Sequence, residues 1–329
     1  MADVAVLPTS RAHHAMNVLV TGISGFVGSR LAPRLERDGH AVRGFSRHPP
    51  THGTAIPIVA GDAVTGVGLA EALRDVEVAY FLMHSMEPVA GAAGRDRDAG
   101  DLAFGTRERT AAENFARAAR EADVQRVIYL GGLVPEGGPA SAHLASRLAV
   151  EEILLAAAPC SLAFRASIVI GAQSRSFRFL VRLVERLPAL AVPAWGTRAT
   201  SPIDERDVIE MLARAAKSND VCGQSLDLGG PDTVTYGELI DRIGDHMLVA
   251  RPTIRFKRLT LTPIASRVSA VIAGERHELI GPLMESLDQD LLPRDNRAAK
   301  LLDVRLHSLD SAIEHALAEW EATERLAAR

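Results

Sequence analysis

The chain has 329 residues, 47% of them hydrophobic, and a formal net charge of −4 at pH 7. This length and apolar content are sufficient for one large domain, or for a domain with a smaller lobe. The slight negative charge argues against nucleic acid as a partner, and no run of about 18 uncharged apolar residues predicts a membrane span. The only cysteines are Cys160 and Cys222, which argues against a disulfide framework and favours a reducing, cytoplasmic compartment.

The first informative feature is an apolar run that begins at Asn17 and ends in a turn containing Gly22, Gly25 and Gly28. An amphipathic segment follows at once, so the order is strand, tight turn, helix. In this context, glycines let the backbone approach a dinucleotide pyrophosphate at a helix N-terminus. The spacing is Gly-x-x-Gly-x-x-Gly rather than the commoner Gly-x-Gly-x-x-Gly. We therefore predict dinucleotide binding; the alternative is a glycine-rich turn that serves packing alone.

Strand-like apolar runs alternate with amphipathic, helix-like segments along most of the remaining chain. Several runs are apolar nearly throughout, which is typical of strands covered on both faces of a parallel sheet. We predict an α/β fold with a doubly wound parallel sheet. The later predicted strands are 41–46, 56–60, 76–83, 124–130, 161–170 and 225–228. The predicted helices after the first are 69–74, 101–122, 141–158, 177–187, one ending at 217, 235–247 and 308–327. Thr235 and Glu238 have the spacing of a capping box at the start of the helix 235–247.

The predicted organisation has three parts. Residues 1–15 lack the apolar region of a signal peptide, so we expect a disordered tail, with Met16 as an alternative start. Residues 16–228 form the dinucleotide-binding domain, in which segments after 171 contribute to the cleft. Residues 229–329 form a smaller mixed or helical lobe over the carboxyl edge of the sheet, where ligands of such sheets bind.

The end of the second predicted strand indicates which dinucleotide is bound. An acidic residue at this place, about 20 residues past the glycines, binds the ribose hydroxyls of NAD, but here the chain reads Phe45-Ser46-Arg47-His48. Arg47 can pair with a 2′-phosphate and Ser46 can donate a hydrogen bond, which favours NADP over NAD. The alternative is a solvated surface arginine. Asp62, after the third strand, is placed either to meet the adenine edge or to stabilise a turn.

Seven short segments, taken in chain order, allow a comparison with known families. They are 21–28, which reads Thr-Gly-x-x-Gly-x-x-Gly, then 80–86, 112–115, 127–133, 164–171, 202–208 and 228–231. Together they resemble the short-chain dehydrogenase/reductase superfamily, most closely its atypical, extended-like branch of NAD(P)-binding epimerase/dehydratase-like proteins. The resemblance extends from residue 17 to about residue 300 and implies a Rossmann fold. The expected cofactor contacts are Thr21, Gly22, Ser24, Gly25, Phe26, Val27, Gly28, Ser46, Arg47, Asp62, Leu82 and Met83.

The sequence departs from this superfamily at the catalytic residues. Active members carry Tyr-x-x-x-Lys on the helix after the fifth strand, and a serine or threonine at the strand end. Here His143 stands in the tyrosine position, Arg147 in the lysine position, and Gly131 and Gly132 at the strand end; no tyrosine has a lysine four residues later. Histidine can exchange protons near neutral pH, whereas arginine offers only charge. His143 is therefore a candidate proton donor supported by Arg147; alternatively, it lines the cleft without proton chemistry.

Other polar residues have weaker claims to a role in the site. His84 ends the fourth strand on the ligand side and either contacts nicotinamide or substrate, or packs. Arg165 is expected to be a structural partner for a carboxylate such as Asp207, and Ser141 to cap the following helix. The sequence has no His-Glu-x-x-His and no Cys-x-x-Cys, so we expect no bound metal.

Three functions are compatible with these residues. The first is an NADP-dependent oxidoreductase or epimerase-like enzyme with a small-molecule substrate and a non-standard proton donor. The second is a dinucleotide-binding redox sensor, regulator or assembly factor without turnover, which the missing tyrosine and lysine favour. The third, a structural protein without a ligand, is disfavoured by the intact glycine turn. The sequence identifies neither the substrate nor the oligomeric state.

Overall fold

The structure is a computed structural model that describes residues 15–49, 55–83, 97–135, 142–187, 190–192, 194–249, 253–255 and 289–324. For residues 97–104, 142–144, 190–192, 194 and 253–255 it describes the backbone only. Residues 1–14 of the predicted tail, His84 and Ser141 therefore lie outside the described residues. Within the described part, no helix is both long and apolar enough to cross a membrane.

Strands and helices alternate through the first two thirds of the chain, as predicted. The strands are β1 (Asn17–Thr21), β2 (Ala41–Ser46), β3 (Ile58–Ala60), β4 (Val78–Phe81), β5 (Arg126–Gly132), β6 (Leu162–Ala166), β7 (Val169–Ile170), β8 (Leu190–Val192), β9 (Ala199–Thr200), β10 (Ile203–Asp204), β11 (Ser225–Leu228), β12 (Val234–Thr235) and β13 (Thr253–Arg255). The helices are α1 (Phe26–Arg37), α2 (Leu69–Ala72), α3 (Arg97–Glu121), α4 (Ala142–Leu155), α5 (Arg175–Arg186), α6 (Glu205–Ala215), α7 (Tyr236–His246), α8 (Arg297–Leu301) and α9 (Leu309–Thr323), with a 3-10 turn at Ala194–Thr197.

Seven strands, each parallel to its neighbours, form the main sheet in the order β11-β6-β5-β4-β1-β2-β3. The chain builds outward from β1 to β3, returns to β4 on the other side of β1, and continues to β11. The strand order therefore reverses beside β1, and ligands of such sheets bind at the carboxyl ends next to that point. The predicted α/β class and doubly wound sheet are confirmed.

Helices cover both faces of this sheet, which explains the continuous apolar strands. On one face, Leu31 and Leu35 of α1 are fully buried in the same cluster as Leu212 of α6. On the other face, Phe115 of α3 and Leu154 of α4 are buried with the α2 residues. The two residues of α1 are four positions apart and therefore share one side of the helix.

One predicted strand is divided in two. The interval 161–170 was expected to be a single strand, but β6 ends at Ala166 and β7 pairs with β10 in a separate two-stranded sheet. Between them, the Ser167 hydroxyl shares a buried hydrogen bond of 3.1 Å with the hydroxyl of Thr200, and Ile203 donates its N–H to the carbonyl of Ile168. Long-range partners thus draw the chain away from the main sheet, and an apolar run cannot show this by itself.

A second buried cluster joins α5, α7 and α9. Trp320 of α9 is 1% exposed, and the guanidinium carbons of Arg178 and Arg182 lie 4.4 and 4.9 Å from its ring centroids. The predicted capping box at the start of α7 is confirmed, because Thr235 and Glu238 each bond the backbone of the other. The predicted division of the chain at residue 228 stays a prediction.

The two cysteines are paired, contrary to the expectation drawn from their number. Cys160 and Cys222 form a disulfide with a Cα–Cα distance of 4.7 Å across a sequence separation of 62. They meet because Cys160 precedes β6, Cys222 precedes β11, and these two parallel strands are neighbours. The cysteine count therefore gives no support for a reducing compartment, and a cytoplasmic location stays a prediction.

Candidate dinucleotide-binding site

The glycine turn lies at the carboxyl end of β1 and leads directly into α1. Gly22 has a φ of +64°, a conformation that glycine adopts without strain, and Gly25 donates its N–H to the Gly22 carbonyl at 2.9 Å. Gly25 is the N-cap of α1 and has no side chain to accept from the first helical N–H groups. These groups can therefore serve an anionic ligand, which the partial positive charge of the helix N-terminus also attracts.

The three glycines are needed for different reasons. A β-carbon at Gly22 would come 2.8 Å from the Leu82 carbonyl oxygen, and one at Gly28 would come 2.9 Å from the Ile23 Cα. A β-carbon at Gly25 would meet only the Gly22 carbonyl oxygen, at 3.1 Å. Gly22 and Gly28 are thus required by the turn itself. Gly25 is exposed and is crowded by this one atom alone, so its surface stays accessible to a ligand.

Some residues around the glycine turn are buried and hold its shape, whereas others are exposed at its surface. Thr21 is fully buried, and its hydroxyl donates to the Tyr80 carbonyl at 2.9 Å and accepts from the Leu82 N–H at 3.1 Å. The Thr21 hydroxyl thus makes its hydrogen bonds within the protein, and these bonds hold the end of β4 against the turn. Ser24 and Gly25 are exposed at the tip of the turn, while Phe26, Val27 and Met83 are half-buried.

The end of β2 carries the residues expected to select the cofactor. Arg47 is exposed, and the half-buried Ser46 accepts the N–H of His48 through its hydroxyl at 3.3 Å. The Asp62 carboxylate accepts the Val64 N–H at 2.8 Å, which is the turn-stabilising role considered from the sequence. A contact between Asp62 and adenine stays a prediction.

The proposed proton-transfer residues are only partly within the described structure. The backbone of His143 lies in the first turn of α4, and its side chain and the whole of His84 lie outside the described residues. The half-buried Arg147 hydrogen-bonds the hydroxyl of Tyr129 on β5. Burial raises the pKa of Tyr129 to about 12, and Arg147 opposes that rise. The phenol therefore stays protonated near neutral pH.

Sequence reasoning had discounted Tyr129, because no lysine lies four residues after it. Gly131 shares its face of β5, since side chains alternate along a strand, and a β-carbon at Gly131 would lie 3.0 Å from the Tyr129 hydroxyl oxygen. The tyrosine thus occupies space that a side chain at position 131 would need. The sequence did carry one signal of this arrangement: a large residue stands two positions before a glycine on the same strand.

Arg165 has a different partner from the one expected. Its Nε and Nη2 atoms donate to the Glu151 carboxylate at 2.8 and 2.6 Å, and its Nη1 lies 4.0 Å from Asp227. Asp207 instead accepts from the backbone N–H of His307 at 2.9 Å and contacts its ring Nδ1 at 2.6 Å. The structural role predicted for Arg165 is supported, but Asp207 as its partner is wrong. The sequence alone does not show that α4 packs against β6, which is the contact that brings Glu151 to Arg165.

One cluster of titratable residues joins α1, α6 and α9. Ligand atoms of Glu205, His315 and Glu319 lie within 4.8 Å of one another. Arg30 donates to Glu205 at 3.0 Å and also bonds Glu319. Burial raises the pKa of Glu205 to about 7, against the attraction of Arg30. The arginine already bridges both carboxylates, so an ion pair accounts for this cluster.

The doubly wound sheet and the glycine turn at the end of β1 define the Rossmann class of dinucleotide-binding proteins. A match to the NAD dependent epimerase/dehydratase family covers residues 18–222. Because this is more than half of the chain, the chain belongs to the NAD dependent epimerase/dehydratase family.

Curated relatives with quite different names resemble this chain. It is 27% identical to the mitochondrial NADH dehydrogenase (ubiquinone) 1 alpha subcomplex subunit 9 of Arabidopsis thaliana, over 87% of this chain and 73% of that one. It is 30% identical to ceramide reductase of Caulobacter vibrioides, over 72% of each protein. Among solved structures, UDP-glucuronic acid 4-epimerase from Bacillus cereus, in complex with UDP-glucuronic acid and NAD, has a TM-score of 0.69 at 18% identity, covering 94% and 100% of the two chains. The last likeness shows the fold alone.

Proposed function

We propose that the protein is an NADP-preferring oxidoreductase or epimerase-like enzyme that acts on a small molecule. The observation that carries the proposal is the turn at Gly22 and Gly25, which is exposed at its tip and leaves the first N–H groups of α1 without a side-chain cap. Packing excludes a side chain at Gly22 and Gly28, whereas at Gly25 a β-carbon would meet a single atom, the Gly22 carbonyl oxygen, at 3.1 Å. Packing therefore explains glycine less completely at position 25, and close approach by an anionic ligand supplies a further reason.

Preference for NADP over NAD rests on the end of β2. Ser46 is half-buried and Arg47 is exposed, and neither Phe45 nor His48 supplies a carboxylate. A 2′-phosphate gains a charge-assisted, bidentate partner in a guanidinium, whereas the ribose hydroxyls of NAD would lack their usual acidic acceptor. Asp62 closes the turn after β3 and stays a candidate for the adenine edge.

The bound nicotinamide would supply the hydride chemistry. His143, at the start of α4, is proposed to hold or release the proton that accompanies hydride transfer, because imidazole titrates near neutral pH. Arg147, one helical turn later, is proposed to hold the nicotinamide ribose or a substrate anion. His84, which directly follows the described end of the β4 segment, is a further candidate for contact with the substrate.

The second candidate function is dinucleotide binding without turnover, in a redox sensor, regulator or assembly factor. The specific observation in its favour is that Arg147, in the position of the superfamily lysine, bonds the buried Tyr129 hydroxyl and cannot give up a proton. The names of the two relatives support different candidates. The name of ceramide reductase is consistent with an enzyme, and that of the NADH dehydrogenase subunit is consistent with the second candidate.

The test begins with the purified protein and identification of any dinucleotide that copurifies with it. NADPH and NADH are then titrated, and a set of aldehydes, ketones and nucleotide sugars is screened for a change in reduced-nicotinamide absorbance. Tighter NADPH binding with substrate-dependent oxidation supports the enzyme. Tight NADPH binding with no turnover on any compound supports the second candidate, and failure to bind either dinucleotide contradicts both.

A further inference from the structure

The disulfide lies at the edge of the sheet opposite the glycine turn. Cys160 donates its N–H to the carbonyl of Gln125 just before β5, and Gly223 donates to Ser161 just before β6. The bridge therefore joins the amino ends of β5, β6 and β11, whereas the dinucleotide is expected at the carboxyl ends. Both cysteines are half-buried rather than enclosed in the core. This site takes no part in the proposed function.

A buried guanidinium lies against one of the two sulfurs. Arg126, the first residue of β5, is 6% exposed, and its Nη2 lies 3.6 Å from the Cys222 Sγ. The same nitrogen donates to the Asn219 side-chain oxygen at 2.8 Å, and Nη1 donates to the Ala215 carbonyl. The guanidinium thus has three hydrogen-bond partners, one of which is the Cys222 sulfur.

Among the described residues, Arg126 has no carboxylate in its hydrogen bonds or ion pairs. Its hydrogen-bond partners are a carbonyl, an amide oxygen and a sulfur, and burial lowers its pKa. A buried cation with no anionic partner is costly. A thiolate at Cys222 would provide the missing negative charge and would be stabilised in return.

We propose that the Cys160–Cys222 bridge is a site of thiol–disulfide exchange with a dithiol reductant, in which Cys160 is attacked and Cys222 leaves. A thiolate of the reductant attacks the Cys160 sulfur, which forms a mixed disulfide and breaks the bond to Cys222. The electron pair of that bond goes to Cys222, whose thiolate faces Arg126. The second thiol of the reductant, after losing its proton, attacks its own sulfur in the mixed disulfide. Cys160 leaves and takes up a proton, and the reductant becomes a disulfide.

The direction of attack follows from the leaving group. In thiol–disulfide exchange, the thiol with the lower pKa leaves faster, and a neighbouring guanidinium lowers a thiol pKa. Within the described part of the chain, an arginine hydrogen-bonds the Cys222 sulfur, and no cationic side chain hydrogen-bonds Cys160. Exchange should therefore be asymmetric, with the reductant attached to Cys160 in the intermediate.

Two single variants of the full chain test this as a matched pair. Cys160→Ser leaves Cys222 as the only thiol, and Cys222→Ser leaves Cys160. The thiol pKa of each is measured from the pH dependence of alkylation by iodoacetamide, with thermal unfolding as the check on folding. We expect the Cys222 thiol to titrate about one unit or more below the Cys160 thiol. Equal values, or a lower value at Cys160, would overturn the proposal.

The wild-type, oxidised protein gives the second readout. It is incubated with a thioredoxin whose resolving cysteine is replaced by serine, and the trapped mixed disulfide is located by peptide mass spectrometry. Attachment to Cys160 supports the assigned direction. Attachment to Cys222, or no reduction by dithiothreitol without denaturant, contradicts it. Arg126→Gln in the Cys160→Ser background should raise the Cys222 pKa; if that variant does not fold, the comparison of the two cysteine variants still decides the question.

Discussion

The Arg147 guanidinium on α4 hydrogen-bonds the Tyr129 hydroxyl on β5. The cation that follows His143 by one helical turn is therefore held by the sheet as well as by its own helix. Gly131 makes this possible, because any side chain there would compete with the tyrosine ring for the same space. The arrangement fixes the positive charge of Arg147 on α4 and leaves the Tyr129 side chain buried.

We expect Tyr129→Phe to lower stability while most of the turnover is retained. The change removes an acceptor from a half-buried guanidinium, at a cost of about 1 kcal/mol in the free energy of unfolding. The phenol is 2% exposed, so it is not placed to touch a substrate. Denaturant unfolding and kcat are measured beside Tyr236→Phe, whose hydroxyl hydrogen-bonds Thr200. A hundredfold loss of kcat in Tyr129→Phe alone would instead identify Tyr129 as the proton donor.

Local patterns were sufficient for much of the fold. The strands at 41–46 and 225–228 have the predicted limits, and the Thr235 capping box is present as predicted. Each of these depends on residues within a few positions of one another, whose preferences are written in the sequence. The glycine turn belongs to the same group.

The disulfide and the ion pair of Arg165, which sequence reasoning missed, depend on contacts between distant segments. Cys160 and Cys222 meet because β11 adds to the sheet beside β6. Arg165 pairs with Glu151 rather than Asp207 because α4 packs over β6. Periodicity predicts that a strand exists, but it does not say which strand lies beside it.

The two glycines Gly25 and Gly28 should respond differently to the same substitution. Gly25→Val should abolish dinucleotide binding with little change in melting temperature, because the new side chain enters the space expected to hold the pyrophosphate. Gly28→Val should lower stability as well, because its β-carbon would lie 2.9 Å from the Ile23 Cα. Cofactor titration and thermal unfolding of both variants check this. Parental affinity in folded Gly25→Val would mean that the motif is misassigned.

Arg47→Asp should weaken NADPH binding and relatively spare NADH. The change removes a charge-assisted contact to the 2′-phosphate, worth on the order of 2 kcal/mol, and places a carboxylate where it repels that phosphate. Titrations of both dinucleotides are compared with Arg305→Asp, a variant at another exposed arginine. Only the Arg47 variant should change the ratio of the two affinities. NADH binding equal to or tighter than NADPH binding in the parent protein would refute the preference.

His143→Ala should collapse turnover while NADPH affinity changes little. Loss of a general acid typically lowers the rate by about a hundredfold to ten-thousandfold. With a substrate found in the absorbance screen, kcat and the NADPH dissociation constant are measured beside His246→Ala, whose ring lies 3.4 Å from Asp310 on α9. Tyr80→Phe and Tyr236→Phe should each retain most of the rate. A rate that survives His143→Ala would remove the histidine from the mechanism.

Because of the buried carboxyl of Glu205, we expect the free energy of unfolding to fall as pH rises. Its pKa is raised by burial from 4.5 to about 7 in the folded protein, so the folded chain keeps a proton that the unfolded chain has released. Stability from this group is therefore present below pH 4.5 and declines as pH rises through 7. The decline should be on the order of 2 kcal/mol, because part of the shift is lost to relaxation around the charge.

The test compares unfolding free energies of the parent and Glu205→Gln in small steps from pH 4 to 8. As pH rises, the free energy of unfolding of Glu205→Gln should increase relative to that of the parent, because a glutamine side chain carries no charge to bury. Glu210 on the same helix is the control: its pKa is lowered, with Arg34 and Arg214 as its partners. Its stabilisation is lost only as pH falls below the ordinary glutamate range, so the difference between the parent and Glu210→Gln should stay flat from pH 5 to 8. A flat profile for Glu205→Gln as well would show that Arg30 fully compensates the buried carboxylate.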